Sequence, residues 1–141
     1  AVWKDRLILI VPEGHRWRKK SSVTIDELSR EPFIVRERGS ATRSIFEEHL
    51  QRNMGRGLSR FNVICELGSS EAVKEAVIAG LGVSVLSSRA VRREMTEGLL
   101  LERPVENCTI ERNFYLIYKT QLTLMRHHTL FLDSVKKSAE T

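Results

Sequence analysis

Cysteine and histidine are scarce in this sequence, and their spacing excludes most site chemistry. The 141 residues include two cysteines, Cys65 and Cys108, and four histidines. The cysteine spacing fits neither a zinc motif nor a disulfide framework. A cytoplasmic setting follows as the expectation, with Cys65 an ordinary buried thiol. His127 and His128 are adjacent, so on a helix they point about 100° apart and cannot share a metal. His15 and His49 have no partner at ligand spacing. Neither a metal nor a cofactor is expected.

Long apolar runs are lacking too. None reaches the roughly 18 residues of a membrane span, so no membrane partner is expected. Ala1-Val2-Trp3-Lys4-Asp5 has no basic stretch followed by an apolar one, the pattern of a signal peptide. The absence of an initiator Met suggests a piece of a longer protein. Gly82-Val83-Ser84-Val85-Leu86 lacks the closing glycine of a nucleophile elbow. Gly80-Leu81-Gly82 lacks a third glycine and follows a helix pattern, so it reads as a helix stop and tight turn, not a dinucleotide fingerprint. No P-loop occurs. These absences argue against an enzyme.

What is present suits one globular unit: 41% hydrophobic and 29% charged residues, enough for a core with a well-solvated surface. Net charge is +5 with a pI near 9.6, yet the basic residues are scattered. The one dense run is His15-Arg16-Trp17-Arg18-Lys19-Lys20. It reads as a solvated loop, with contact to DNA phosphate or an acidic neighbour as the alternative.

Strand and helix patterns alternate along the chain. Leu7 to Val11 is continuously apolar and stopped by Pro12, a strand covered on both faces. Thr24 and Glu27 open a short helix, which Pro32 closes. Phe33-Ile34-Val35 is a strand, followed by a helix from about Thr42 to between Asn53 and Gly55 with Ile45, Phe46 and Leu50 inward. Phe61 to Glu66 is the next strand, leading to a helix that buries Val73 and Val77 and stops at Gly80. Val83 to Leu86 is a strand, then Ser87 or Ser88 caps a helix ending at Gly98. Leu99 to Leu101 and Phe114 to Tyr118 read as strands, and Leu122 to Val135 as a helix. This order predicts an α/β fold with a parallel or mixed sheet, whose ligands sit at strand carboxyl ends against helix starts.

Two strand-to-helix turns share one chemistry. Gly39-Ser40-Ala41-Thr42-Arg43 and Gly68-Ser69-Ser70 each set glycine and small hydroxyls at a helix start. The first amides of a helix lack internal partners and carry partial positive charge, which suits an anion. Arg43 or Arg36 would add a charge-assisted bond. The competing reading is simple N-capping. Glu71 opposes a strongly anionic ligand unless it points outward.

The same residues carry a resemblance. Leu7 to Pro12 with His15 and Ile25 to Leu28; Glu31-Pro32-Phe33-Ile34-Val35 through Gly39-Ser40-Ala41-Thr42-Arg43; Glu66-Leu67-Gly68-Ser69-Ser70-Glu71-Ala72-Val73-Lys74; and Val77 through Gly80-Leu81-Gly82 to Leu86 follow one another at fixed spacing. This series resembles the effector-binding domain of LysR-type transcription regulators, most closely those controlling sulfur assimilation or carbon fixation. Ser87 stands where the family often has proline. The resemblance implies a type 2 periplasmic-binding-protein-like fold: two α/β lobes, joined by crossover strands, clamping a small effector. Residues 12–111 would form one complete lobe, a mixed sheet with helices on both faces. Residues 1–11 and 112–141 would be the remnant of the other, with the crossover strands and the C-terminal helix. It further implies an anionic effector held by Gly39, Ser40, Thr42, Arg43, Ser69 and Ser70. DNA would be bound only through a winged helix-turn-helix outside this chain.

The rival readings are an extracytoplasmic solute-binding protein, an enzyme on the same fold, and a thiol redox sensor; Cys65 and Cys108 stand at the wrong spacing for the last. By the same resemblance, Leu7 to Ile10 and Leu116 to Tyr118 would belong to an incomplete sheet with open edges. Self-association as a dimer or higher oligomer is therefore expected.

Overall fold

The computed structural model describes residues 2–55, 57–117 and 125–139. Two compact units are present, one of residues 1–5 and 111–141, the other of residues 6–110.

The larger unit is built around β1 (Trp3–Pro12), which enters it at Arg6. β1 is flanked by antiparallel β4 (Ser84–Ser87) and β5 (Leu100–Arg103), in register Leu9 with Val85 and Leu9 with Arg103. β2 (Phe33–Arg36) and β3 (Val63–Leu67) form a parallel pair. A parallel bridge from Phe33 to Val83 joins this pair to the start of β4. The resulting sheet is mixed, as the alternation of strands and helices predicts.

Alternation along the strands sorts the core into two layers. Leu7, Leu9, Val11, Phe33, Val35 and Val85 face one layer. There they meet Leu28 of α1 (Ile25–Arg30), and Phe46 and Leu50 of α2 (Ala41–Met54). Ile8, Ile10, Ile34 and Leu86 face the other, against Val73 and Val77 of α3 (Ser70–Ile78) and Met95 of α4 (Arg92–Thr96). Helices therefore cover both faces. Phe33, Phe46 and Phe61 pack ring against ring at 5.1–5.9 Å.

Local signals hold where they depend on near neighbours. Thr24 and Glu27 form a reciprocal capping box, and Gly80 adopts φ 77° just past α3. Gly82 answers a different need: a Cβ there would sit 2.5 Å from the Pro32 carbonyl oxygen, in the approach that lets Val83 N–H donate to it at 2.8 Å.

Several expectations are corrected. Leu7 to Ile10 is not an open edge: β4 and β5 pair with it inside the larger unit, and Ile10 is fully buried. Residues 6–11 thus pack with the larger unit, because an apolar strand pairs wherever both its edges find partners. The last strand is β6 (Ile110–Phe114), which pairs with β1. It ends before Leu116, and Ile117 is 89% exposed; Tyr118 lies outside the described residues. The C-terminal helix α5 spans Arg126–Ala139, and Leu122 and Leu124 also lie outside them. Neither Ser87 nor Ser88 caps α4. Ser87 Oγ accepts from Arg89 N–H in a local turn, and the helix starts later, with Val91 as its N-cap. Cys65 is only half-buried, because β3 is the outer strand of its pair.

The basic run is a compact turn. Trp17 is 1% exposed, and Arg16 lies over its ring at 5.1 Å while also pairing with Glu31. Arg18 pairs with Glu13, and Lys20 with Glu27. In the smaller unit, Asp5 and Arg112 form a bond of 2.7 Å between β1 and β6.

Candidate functional site

The parallel register of β2 and β3 sets Arg36 opposite Leu67, so both candidate turns leave the sheet side by side. α2 then crosses to one face and α3 to the other. Adjacent strand ends whose helices depart to opposite faces make the crevice where open α/β sheets bind ligands.

The turns are bonded to each other. Arg36 Nη1 donates to Ser70 Oγ at 2.7 Å, and its Nε and Nη2 form a fork on Glu37 at 2.7 and 2.8 Å. The Glu37 bond and charge hold the guanidinium firmly ionised, and Arg36 in turn holds the Glu37 carboxyl below the usual range. Glu37 N–H donates to Leu67 C=O at 3.0 Å.

Each expected site residue has a definite place. Gly39, exposed, takes φ 91°, a backbone conformation glycine adopts without a Cβ penalty. Ser40 and Thr42 are buried. Ser40 precedes α2 but makes no side-chain cap bond, so plain capping does not account for it. Ser69 does cap: its Oγ accepts from Ala72 N–H at 3.1 Å. A hydroxyl that accepts in this way keeps its own hydrogen for a further partner. Ser70 is in the same position, since its oxygen accepts from Arg36.

Arg43, expected to add a charge-assisted bond to an anion, is engaged by groups of the protein itself. It donates to Glu47 at 2.9 Å, Glu66 at 2.6 Å and Arg36 C=O at 3.0 Å. Bonds from Arg43, then from Arg38 N–H, hold Glu66 below the usual carboxylate range. The arginines are thus balanced by carboxylates, leaving hydroxyls and amides as the donors suited to an anion. Thr42 and Arg43 line a narrow cleft with Arg36 and Phe46. Gly39 and Arg43 border an open hollow of about 330 Å3 with Ser44 and Glu47. Ser69 and Ser70 line neither.

Two features escaped the sequence reading. Glu66 closes the turn network, visible only once the strand register is known. Lys74, one turn beyond Ser70, is buried and bonds Glu94 at 3.0 Å, Ala90 C=O at 3.2 Å and Glu71 at 2.8 Å. Glu71 itself points outward, 74% exposed. Among the described residues no group of three or more His, Cys, Asp or Glu forms a metal cluster, and no helix is long and apolar enough to cross a membrane.

Comparison with known proteins agrees with this architecture. The LysR substrate binding domain family matches residues 1–140. The transcriptional activator CmpR of Synechocystis is 35% identical over 130 residues, which are 92% of this chain and 41% of that protein. The probable RuBisCO transcriptional regulator of Cyanophora paradoxa is 36% identical over 114 residues, 81% of this chain and 35% of that one. This chain therefore spans about two fifths of the length of these relatives. The regulatory domain of Synechocystis CcmR, solved in complex with 2-PG, superposes with a TM-score of 0.74 at 26% identity, covering 99% of this chain and 65% of that one. The effector-binding domain of QuiR with shikimate superposes with a TM-score of 0.77 at 15% identity, over 99% of this chain and 63% of that one, and supports the fold alone. The relatives are transcription regulators, and this chain belongs to the LysR substrate-binding domain family.

Proposed function

We propose that this chain is the effector-sensing part of a cytoplasmic LysR-type transcription regulator. It binds, without transforming it, a small oxyanion at the carboxyl ends of β2 and β3. The observation that carries this reading is the bond from Arg36 to Ser70, which joins the two glycine-hydroxyl turns into one structure. With the arginines balanced by Glu37, Glu47 and Glu66, recognition falls to the hydroxyls of Thr42, Ser69 and Ser70 and the neighbouring amides, with Gly39, Ser40 and Arg43 shaping the turn. CcmR, bound to 2-PG, is a relative whose ligand fits such donors. A second lobe outside this chain would close over the anion. The differential affinity for open and closed forms would then shift subunit geometry and, through a winged helix-turn-helix, DNA binding. The regulator would act as a homo-oligomer.

Calorimetric titration of 2-phosphoglycolate into the full-length regulator tests the reading. Thr42→Ala with Ser69→Ala is expected to weaken binding by about 1–3 kcal/mol through lost hydrogen bonds. Binding that is unchanged in this variant removes these residues from the site.

A further inference from the structure

The larger unit contains a cavity of about 150 Å3 away from Ser69 and Ser70. Its walls include Leu7 and Leu9 of β1, Phe46 of α2, Val85 of β4 and Ile110, all buried. Cys108 completes them from the tight turn after β5, where Asn107 takes φ 55° and Val105 bridges back to Cys108. Arg6, Glu102, Arg103 and exposed Thr109 stand among the lining residues as its polar groups.

The lining runs from exposed Arg6 and Thr109 to buried Leu7, Leu9 and Phe46 of the main core layer, so a molecule entering from solvent would bury its apolar surface against that layer. A cavity of about 150 Å3 lined by aliphatic and aromatic side chains takes a benzene-sized molecule. It is too small for the drug-sized ligands that fill pockets of about 300–1,000 Å3. We propose that this cavity is a binding site for a small neutral molecule, the size of a benzene or phenol ring, with an apolar body and one hydrogen-bonding group.

The chemistry of the lining selects against ions. An ion brought against the aliphatic walls would lose hydration, and the charged groups of the lining already have partners within the protein. Burial pushes the Cys108 thiol up, the direction expected where the charged form is disfavoured. Arg6 and Glu102 approach each other to 3.5 Å and offset each other's charge, and the Arg103 guanidinium donates to the backbone carbonyls of Trp17, Glu102 and Arg18. Thr109 supplies a hydroxyl that both donates and accepts. The site is distinct from the proposed oxyanion site: Phe46 and Val85 are walls common to this cavity and to the cleft that holds Thr42, but the hydroxyls of the two turns line only the latter or neither.

Phenol is the probe, and the two cysteines report its position. Cys108 lines the cavity, whereas Cys65 lies on β3 against the opposite core layer. Phenol is expected to bind the purified chain by calorimetry and to slow methanethiosulfonate modification of Cys108 several-fold, with Cys65 unaffected. Thr109→Trp, an exposed position that obstructs the cavity without changing the core, is expected to abolish both effects while leaving the thermal midpoint in place. Absence of phenol binding overturns the proposal, as does equal protection of both cysteines or binding that persists in Thr109→Trp. If Cys108 proves too slow to modify, loss of calorimetric binding in Thr109→Trp still decides the location.

Discussion

Arg36 and Ser70 are 34 residues apart in the chain, yet the Arg36 guanidinium donates to the Ser70 hydroxyl at 2.7 Å. Because that oxygen accepts from Arg36, its own hydrogen is directed elsewhere, and the turn is pre-set as a donor. Arg36→Met is expected to lower stability by about 1 kcal/mol, the scale of one hydrogen bond. It is also expected to weaken 2-phosphoglycolate binding, whereas Arg36→Lys preserves part of it. Urea unfolding and calorimetry on the same variants separate the two effects. Full affinity in Arg36→Met would show that the bridge does not set the turn.

Lys74 and Glu94 form a buried pair between α3 and α4, with side chains 6% and 3% exposed. Glu94 Oε2 has no hydrogen-bond partner of its own. Removing Lys74 leaves the buried Glu94 with the exposed Arg93, at 3.1 Å, as its remaining cationic partner, so Lys74→Met is expected to cost about 3 kcal/mol, the lower end for a broken buried pair. The double variant Lys74→Met with Glu94→Leu is expected to regain much of that loss, since an apolar pair of similar volume leaves no unpaired ion. A double-mutant cycle in urea checks this. Additive losses would show that the two residues act separately.

Stability is expected to fall on acidification in two stages. Burial lowers the pKa of His49, and Asn53 donates to its Nδ1 at 3.1 Å, which leaves the proton on the buried Nε2. A group depressed in the fold contributes stability above its unfolded pKa and loses it as pH falls toward the folded value. The first loss therefore begins below about pH 6.5. His49→Gln should flatten that stage in thermal melts between neutral and mildly acidic pH. An unaltered pH profile would exclude His49 as its source.

The second stage belongs to the carboxylates. Burial pushes Glu94 up, but the hydrogen bond from Lys74 and the charges of Lys74 and Arg93 outweigh it and leave the group below its ordinary range. Glu31 behaves alike: burial raises it, and Arg16 and His15 more than offset this. Their contribution is present above the unfolded carboxylate pKa near about 4.3 and disappears as pH drops through the lower folded values. Glu94→Gln should reduce the slope of stability against pH in that acidic range. Persistence of the full slope would place its origin elsewhere.

Gly82→Ala is expected to destabilise by about 1–3 kcal/mol, the range for overpacking a tight core. The new Cβ would collide with the Pro32 carbonyl, backbone that cannot move without disturbing the bridge between β2 and β4. Gly14 has nothing within 4 Å of such a Cβ, so Gly14→Ala is a control with little effect. Equal thermal midpoints for the two variants would contradict the close approach.

Much of this protein was legible from residues close together in the chain. The continuous apolar run of Leu7 to Val11, the Thr24–Glu27 capping box and the glycine-hydroxyl turns before α2 and α3 are all legible over a few residues. That local order determined the α/β class and pointed to both candidate turns. It did not determine which strand ends become neighbours. The register of β2 with β3 places Arg36 beside Ser70 and Glu66 beside Arg43. The antiparallel partners of β1 turned an expected open edge into the centre of a sheet. Packing of α3 on α4 buried Lys74 against Glu94, and the turn at Asn107 brought Cys108 to the cavity wall. These depend on contacts between residues 20 or more positions apart, whose formation is governed by the summed burial of whole elements, and no short stretch of sequence encodes that sum.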